Sequence, residues 1–464
     1  MMTLQQALQW LPGATLVGDG SLRVMRVHSD TRSILPGDLF VALHGERFDA
    51  HDFLPQAKAS GAVAALASRG FADAGLPGLQ VADTRLALGQ LAAGWRSQFD
   101  LPLIAVTGSN GKTTVTQMIA AILRAWNPTA AFATEGNLNN DIGMPLTLLR
   151  LRASHQVGVV ELGMNHPSEI AYLADLARPT VALVNNAQRE HLEFMHSVEA
   201  VAIENGSVLS ALADTGTAVF PADDDYAGLW RKLAGTRRVL TFAPSGPADF
   251  TANKTLWTGD GWQVTANTPA GPVEFLLQIA GRHNVKNALA AIACAIAAGL
   301  PLTSVSTGMS NFLPVSGRSR SSQLRLGGHA FTLVDDSYNA NPDSMRAAIA
   351  VLGELPGPRL LVIGDMGEVG DSGPQFHIEA GEQVQAVGIE KLFTLGEQSA
   401  QAAAHFAGAR HFESIEALIA AVMDELPRVA SVLVKGSRFM KMERVVRAIE
   451  DRGRPATGGV GNAS

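Results

Sequence analysis

The sequence is poor in cysteine and in charge. Its 464 residues contain a single cysteine, Cys294. A lone cysteine excludes an internal disulfide framework and any zinc site built on cysteines. It lies in the Ala-rich run 288–298, which reads as a buried helix with Cys294 as a small core residue. Only 17% of the residues are charged, and 36 Lys and Arg face 43 Asp and Glu, a net charge of −7. That balance argues against a general nucleic-acid binder, which needs a basic face, but leaves room for a local basic pocket around a phosphorylated small molecule. No apolar run reaches the roughly 18 residues that cross a bilayer. The first ten residues lack a basic leader and an apolar core. We therefore expect a cytoplasmic protein without a membrane span. There is no internal repeat.

The apolar fraction, 47%, is that of a folded chain. At about 150 residues per domain the length suggests roughly three domains. In the first, residues 1–100, short strands at 22–27, 39–41 and 62–67 are separated by turn signals such as Pro36-Gly37-Asp38. A helix at 85–99 closes it, with Leu88, Leu91, Ala92 and Trp95 near the helical period. The second, 101–312, alternates strands (103–106, 156–160, 181–184) with helices (113–126, 168–177, around 287–298), which argues for βαβ units and a mostly parallel sheet. The third, 313–454, repeats the pattern, with strands at 331–334, 360–363, 391–395 and 432–434 and helices at 344–352, 375–387 and 415–426. A Gly-rich stretch, 455–464, reads as a flexible tail. The fold class expected is α/β in three domains.

One motif carries clear chemistry. Thr107-Gly108-Ser109-Asn110-Gly111-Lys112-Thr113-Thr114 follows a strand and opens a helix, the context of a phosphate loop. Gly108 and Gly111 allow the backbone to turn and aim N–H groups at phosphate oxygens, and the helix N-terminus adds partial positive charge. Lys112 supplies a cation for the β/γ-phosphates, and the Thr113 hydroxyl suits Mg²⁺. The loop is a shortened form, since the first glycine of the full eight-residue pattern would fall on Val106. The motif points to a nucleoside triphosphate but not to one reaction.

Further blocks narrow the reading. They are Asp30-Thr31-Arg32 with Pro36-Gly37-Asp38-Leu39-Phe40-Val41; Asp335-Asp336-Ser337-Tyr338-Asn339-Ala340-Asn341-Pro342-Asp343-Ser344; Gly364-Asp365-Met366-Gly367-Glu368 with His377; and Val434-Lys435-Gly436-Ser437-Arg438. With the short phosphate loop, these resemble the Mur ligases, and within them the branch that adds D-alanyl-D-alanine to UDP-N-acetylmuramoyl-tripeptide. The likeness covers about residues 25–450. It implies a UDP-substrate-binding N-terminal domain, a central P-loop ATPase-type domain with a parallel sheet and a C-terminal Rossmann-like domain. The implied reaction uses ATP and Mg²⁺ to join a carboxylate to an amine through an acyl phosphate, in cell-wall precursor synthesis. Another Mur enzyme, a folylpolyglutamate synthase, or a nucleotide-dependent switch without ligase activity are the competing readings. The Asn339-Ala340-Asn341-Pro342 block favours the first. A monomer is expected.

The resemblance also assigns residues. The catalytic set is Lys112, Glu161, His191, Arg318 and Asp336 (or its neighbour Asp335). Nucleotide contacts fall to Gly108, Ser109, Asn110, Gly111, Lys112, Thr113, Thr114, Asn284, Asn287 and Arg318. Asn284 has a competing reading as a helix N-cap. Metal ligands are Thr113, Glu161, which ends a strand at the edge where open α/β sheets bind ligands, and His191. Substrate contacts fall to Ser29, Asp30, Thr31 and Arg32, with His44, Gly45, Glu46 and Arg47, for the UDP-sugar. Asn137 and Asn139 carry substrate- and phosphate-side contacts. Tyr338, Asn339, Asn341 and Ser344 shape the dipeptide site, or alternatively cap the helix at Ser344. Asp223-Asp224-Asp225 reads as charge at a helix start.

Four positions depart from the family pattern. Ala50 stands where a glycine is usual, and Gln188 and Arg189 are unusual before His191. Asn205 stands where many Mur ligases carry a lysine, carbamylated by CO₂, that helps hold a second Mg²⁺. An amide cannot form a carbamate. Three readings follow: an oxygen of Glu204 or Asn205 takes over as metal ligand, the second metal is held more loosely, or activity is weak; the presence of every other block favours the first.

Overall fold

The computed structural model describes residues 1–45, 48–258 and 261–455. Three large sheets follow one another along the described chain, with a two-stranded ribbon beside the first. The first has five strands: β1 (Thr15–Val17), β2 (Arg26–His28), β3 (Asp38–Val41), β4 (Ala64–Ala67) and β5 (Gly78–Gln80), in the order β1-β5-β4-β3-β2. All pairings are parallel except β1 with β5. The strand expected at 22–27 is two: Arg23–Val24 pairs with Met2–Thr3, and β2 joins the main sheet. Ala50 opens a 3-10 turn with its methyl buried, so that turn needs no glycine.

Helix α1 (Thr84–Arg96) leaves this sheet and packs on the next unit. Asp83 caps it, accepting from the N–H groups of Arg85 and Leu86. Leu88 and Leu91 share a buried cluster with Leu103, Leu148, Ile170 and Leu173, so the first two units have a common core. The buried Arg96 guanidinium donates to the carbonyls of Phe99, Leu101, Ala177 and Arg178 and pins the connector between them.

The central sheet has nine strands: β6 (Leu103–Thr107), β7 (Ala131–Ala133), β8 (Val157–Glu161), β9 (Val181–Val184), β10 (Thr217–Pro221), β11 (Arg238–Ala243), β12 (Phe250–Trp257), β13 (Trp262–Asn267) and β14 (Val273–Leu277). The order is β14-β13-β12-β11-β10-β9-β6-β8-β7. Strands β6 to β12 are parallel; β13 and β14 add an antiparallel edge that the sequence reading did not assign. Its inward–outward alternation is plain in β14, where Val273, Phe275 and Leu277 are buried and Glu274 is exposed. Helices α2 (Lys112–Trp126), α3 (Glu169–Ala177), α4 (Val198–Ser210) and α5 (His283–Ala297) cover the sheet, and Cys294 lies fully buried in α5. Strand β6 lies between β8 and β9, so the chain leaves it toward both sides. Such a switch point opens a crevice at the carboxyl ends of the strands.

The third sheet has seven strands: β15 (Arg320–Leu326), β16 (His329–Asp336), β17 (Arg359–Gly364), β18 (Lys391–Leu395), β19 (Arg410–Phe412), β20 (Ser431–Lys435) and β21 (Arg454–Pro455). The order is β19-β18-β17-β20-β16-β15-β21. Helices α6 (Pro342–Gly353) and α7 (Gly373–Val387) cover one face, and α8 (Ile415–Glu425) and α9 (Glu443–Arg452) the other. The expected tail begins too early: Pro455 pairs with Leu324 at the sheet edge, and the rest of it, 456–464, lies outside the described residues. The carboxyl ends of β16, β17 and β20 face those of β6, β8 and β9 across one cleft.

Candidate active site

The cleft is a cavity of about 890 Å³. One wall is the phosphate loop. Gly108 and Gly111 have φ of +130° and +84°, and a Cβ on Gly111 would lie 2.7 Å from the side chains of Asn185 and Asn287. Glycine is therefore required by both conformation and space. Asn185 Nδ2 donates to the Asn110 carbonyl (2.8 Å) and to Asn287 Oδ1 (3.0 Å), and Asn287 Nδ2 donates to Asn284 Oδ1 (2.9 Å). Asn284 in turn donates to the Ala280 carbonyl (2.7 Å) from within α5. It is not the N-cap, which is Arg282. This amide chain ties the loop to α5.

Lys112 Nζ donates to the carbonyls of Gly108 (2.6 Å) and Ser109 (3.1 Å) and to the Glu190 carboxylate (3.0 and 3.2 Å). Burial works against a charge on Glu190, yet Lys112 and His191 hold its pKa below the ordinary value. His191 sits with Nε2 3.5 Å from Glu190 and Nδ1 2.6 Å from Glu368. Burial would lower its pKa, but the two carboxylates outweigh burial and raise it to about 9. A cation could take this ring only in place of its proton.

Thr113 Oγ1 donates to Glu161 Oε1 (3.2 Å), and Asn139 Nδ2 donates to the same oxygen (2.7 Å). Glu161 Oε2 is buried and has no partner among the described residues. A buried oxygen facing nothing, beside a hydroxyl at the start of a P-loop helix, is a hard-oxygen donor set that suits Mg²⁺. Among the described residues no group of three or more His, Cys, Asp or Glu side chains is assembled to hold a metal unaided.

The opposite wall comes from the third unit. The Arg318 guanidinium lies 4.0 Å from the Tyr338 ring centroid and that of Arg438 5.6 Å. Asp336 Oδ2 accepts from Lys435 Nζ (2.6 Å), which also donates to the Asn339 carbonyl (2.9 Å). Of the two aspartates, Asp336 lines the cleft; Asp335 is turned inward onto Ser316, Gly317 and Ser337. Asn341 caps α6 with Ser344 in a reciprocal capping box, and its Nδ2 also reaches Asn110 Oδ1 (2.9 Å). The capping reading and the cleft reading are both satisfied by this one side chain.

Of the residues singled out from sequence, Ser109 to Thr114, Asn137, Asn139, Glu161, His191, Asn284, Asn287, Arg318, Asp336, Tyr338, Asn339, Asn341 and Ser344 line this one cavity. Gly108 lies behind it. Ser29, Asp30, Thr31 and Arg32 do not line it. They form a turn on the first unit, where Asp30 accepts from the Arg32 backbone and guanidinium, which hold its pKa at about 2. Glu46 and Arg47 lie outside the described residues. Asp224 lines the cleft, accepting from Tyr226 N (3.0 Å), and Asp223 pairs with Lys286 (2.6 Å).

The expectation for residues 204 and 205 is overturned. Asn205 Oδ1 accepts from Thr107 Oγ1 and from Gly108 N (2.9 Å), beneath the loop. Glu204 accepts from Ser168 N and Ile170 N (both 2.8 Å) at the start of α3. Their oxygens are bound to the chain. Cleft or cleft-edge residues that carry contacts the sequence reading did not assign include Asn185, Arg189, Glu190, Glu368 and Lys435. The signal for Glu190 was an acid next to the motif histidine; for Arg189 it was the unusual residue type.

Comparison with known proteins agrees with this geometry. Residues 23–96 match the description "Mur ligase family, catalytic domain", 106–295 "Mur ligase middle domain" and 321–438 "Mur ligase, glutamate ligase domain". The UDP-N-acetylmuramoyl-tripeptide–D-alanyl-D-alanine ligase of Escherichia coli K12 is 45% identical over 97% of this chain and 99% of its own. The chain belongs to the Mur ligase family. Among solved structures, MurF from Acinetobacter baumannii superposes with a TM-score of 0.89 at 34% identity, over 97% of this chain and 99% of that one. MurF from Thermotoga maritima, in complex with ADP, gives a TM-score of 0.80 at 25% identity, over 93% of this Mur ligase and 98% of that chain. Its three-domain α/β fold is thus that of these solved structures.

Proposed function

We propose that this Mur ligase joins D-alanyl-D-alanine to UDP-N-acetylmuramoyl-tripeptide with hydrolysis of ATP to ADP and phosphate, giving the pentapeptide precursor of the cell wall. The observation that carries the reading is the facing of two walls in one cavity: the phosphate loop with Glu161 on one side, and the Asp336–Ser344 stretch on the other. We take 1–100 as the UDP-substrate unit, 101–312 as the ATP unit and 313–454 as the acceptor unit. The enzyme acts as a monomer in the cytoplasm. No helix among the described residues is long and apolar enough to cross a membrane.

The chemistry asks for charge neutralisation and alignment more than for covalent help. The loop N–H groups and Lys112 hold the β/γ-phosphates, and Asn284 and Asn287 lie on the adenine side. Thr113 and Glu161, with His191 once its proton leaves, would hold Mg²⁺, which supplies charge neutralisation on the phosphates. The tripeptide carboxylate attacks the γ-phosphorus and ADP departs, leaving an acyl phosphate. The dipeptide amine then attacks the acyl carbon, loses a proton, and phosphate departs. Arg318 and Lys435 are cations on the acceptor side for the moving charge. Asp30 and Arg32 with their neighbours meet the UDP-sugar.

The test is phosphate release from ATP and Mg²⁺ with the UDP-tripeptide, with and without D-alanyl-D-alanine. The reading requires release that depends on the dipeptide and a pentapeptide product by mass. Release that ignores the dipeptide would remove the acceptor assignment around Asn339.

A further inference from the structure

The segment Gln188-Arg189-Glu190-His191 follows β9, the central strand beside the phosphate loop, and its residues alternate between two partners. Gln188 faces the loop: its N–H donates to Ser109 Oγ (2.9 Å), and its Oε1 accepts from Asn110 Nδ2 (2.7 Å). Glu190 faces the loop through Lys112. Arg189 and His191 face the third unit instead. Arg189 N (2.8 Å) and Nε (3.3 Å) donate to Asp343 Oδ2, and Nη2 donates to Asp343 Oδ1 (3.0 Å), while Nη1 donates to Glu379 (2.9 Å). Its guanidinium also lies 5.1 Å from the Phe376 ring centroid. His191 meets Glu368.

Asp343 is the second residue of α6, between Asn341 and Ser344, which line the cleft. Its side chain is only 7% exposed, so its charge is held by Arg189 and Arg346 with little help from water. Glu379 and Phe376 are on α7. One side chain therefore ties both helices on that face of the third sheet to the strand end beside the loop. A planar guanidinium can bind two carboxylates in fixed directions; an ammonium cannot.

We propose that Arg189 is a positioning residue. It docks α6 against the phosphate-loop wall, so that the dipeptide subsite is assembled only when the two units are closed. The proposal rests on the functional reading above, which puts that subsite at Tyr338–Ser344. Arg189 spends its side chain on Asp343, Glu379 and the Phe376 ring and does not line the cleft.

The test uses the full-length enzyme with its three substrates. Arg189→Ala is expected to raise KM for D-alanyl-D-alanine at least tenfold, while the Kd for ADP alone, by calorimetry, stays within threefold. Arg189→Lys is expected to recover part of the loss. Glu379→Ala, outside the cleft, should shift the same KM by less, and the double variant Arg189→Ala/Glu379→Ala should be no worse than Arg189→Ala, because the two act through one contact. Small-angle scattering with all ligands should show a larger radius of gyration for Arg189→Ala than for the parent. Dipeptide KM within twofold in Arg189→Ala overturns the proposal. So does a parallel loss of ADP affinity, which would mark a collapsed strand end, or strictly additive losses in the double variant. Wild-type enzyme with no dipeptide-dependent turnover would instead overturn the functional reading, whatever the variants do.

Discussion

Asn110, in the phosphate loop, and Asn341, at the start of α6, exchange amide hydrogen bonds across the cleft, with Asn341 Nδ2 donating at 2.9 Å and Asn110 Nδ2 donating at 3.3 Å. Asn341 also caps α6; Asn110 caps nothing there. The two halves of the pair can thus be separated. Asn341→Ala should lose about 1 kcal/mol of stability with its cap and several-fold in kcat/KM for the dipeptide. Asn110→Ala should lose the activity while keeping the parent melting temperature. Thermal denaturation alongside steady-state kinetics checks this; equal melting losses in both would refute the division.

Lys112 and Glu190 form a nearly buried ion pair, with side chains 14% and 9% exposed. Removing one partner of such a pair leaves an uncompensated charge, at a cost of about 3 kcal/mol. Lys112→Met should therefore lower both stability and ATP turnover, the latter by about 10²–10³-fold, as for loss of one charge-stabilising group. Adding Glu190→Gln to it should restore the melting temperature but not the turnover. A Lys112→Met variant with the parent melting temperature would show that the pair contributes nothing to the fold.

The pH dependence of stability follows from His191. Its pKa in the fold, about 9, lies above the ordinary 6.5. The charged ring is thus favoured by folding. Its contribution is complete below about pH 6.5 and is lost as pH rises toward 9, by at most about 3 kcal/mol. Melting temperature should fall over that window. Glu368→Gln, which removes the carboxylate 2.6 Å from Nδ1, should flatten the slope. An unchanged slope in that variant would detach the effect from this ion pair.

How much of this was legible in the sequence depends on how local the cause is. The phosphate loop was, because Gly-Lys-Thr chemistry acts within a few residues of itself. The strand–helix alternation located β6, β8, β9, β16, β17 and β20 for the same reason. Asp336 over Asp335 was left open, since adjacent strand residues point to opposite faces and only the packed sheet says which face meets the cleft. Arg189 was flagged as unusual but not placed, because its meaning lies 154 residues away at Asp343. The antiparallel edge β13–β14 escaped since short, half-polar alternation looks like loop. Residues 29–32 keep their local turn, yet nothing in the chain's own contacts carries them to the cleft.

Asn205 bears on a last prediction. Its amide is 1% exposed and is spent on the loop: Oδ1 takes Thr107 Oγ1 and Gly108 N, and Nδ2 donates to the Val201 carbonyl (3.1 Å). It supports the turn that shapes the phosphate site. A carbamate needs a neutral lysine amine. The three lysines that line the cleft, Lys112, Lys286 and Lys435, are each held by a carboxylate, on Glu190, Asp223 and Asp336, and a carbamate on any of them would have to break that contact. Activity should accordingly be the same in CO₂-free buffer and with added bicarbonate. Activity lost on degassing at low pH and rescued by bicarbonate would show that one of these lysines leaves its partner and carries the carbamate after all. Asn205→Ala should leave that indifference to CO₂ unchanged. It should instead raise KM for ATP and cost about 2 kcal/mol, because it strands two buried donors of the loop.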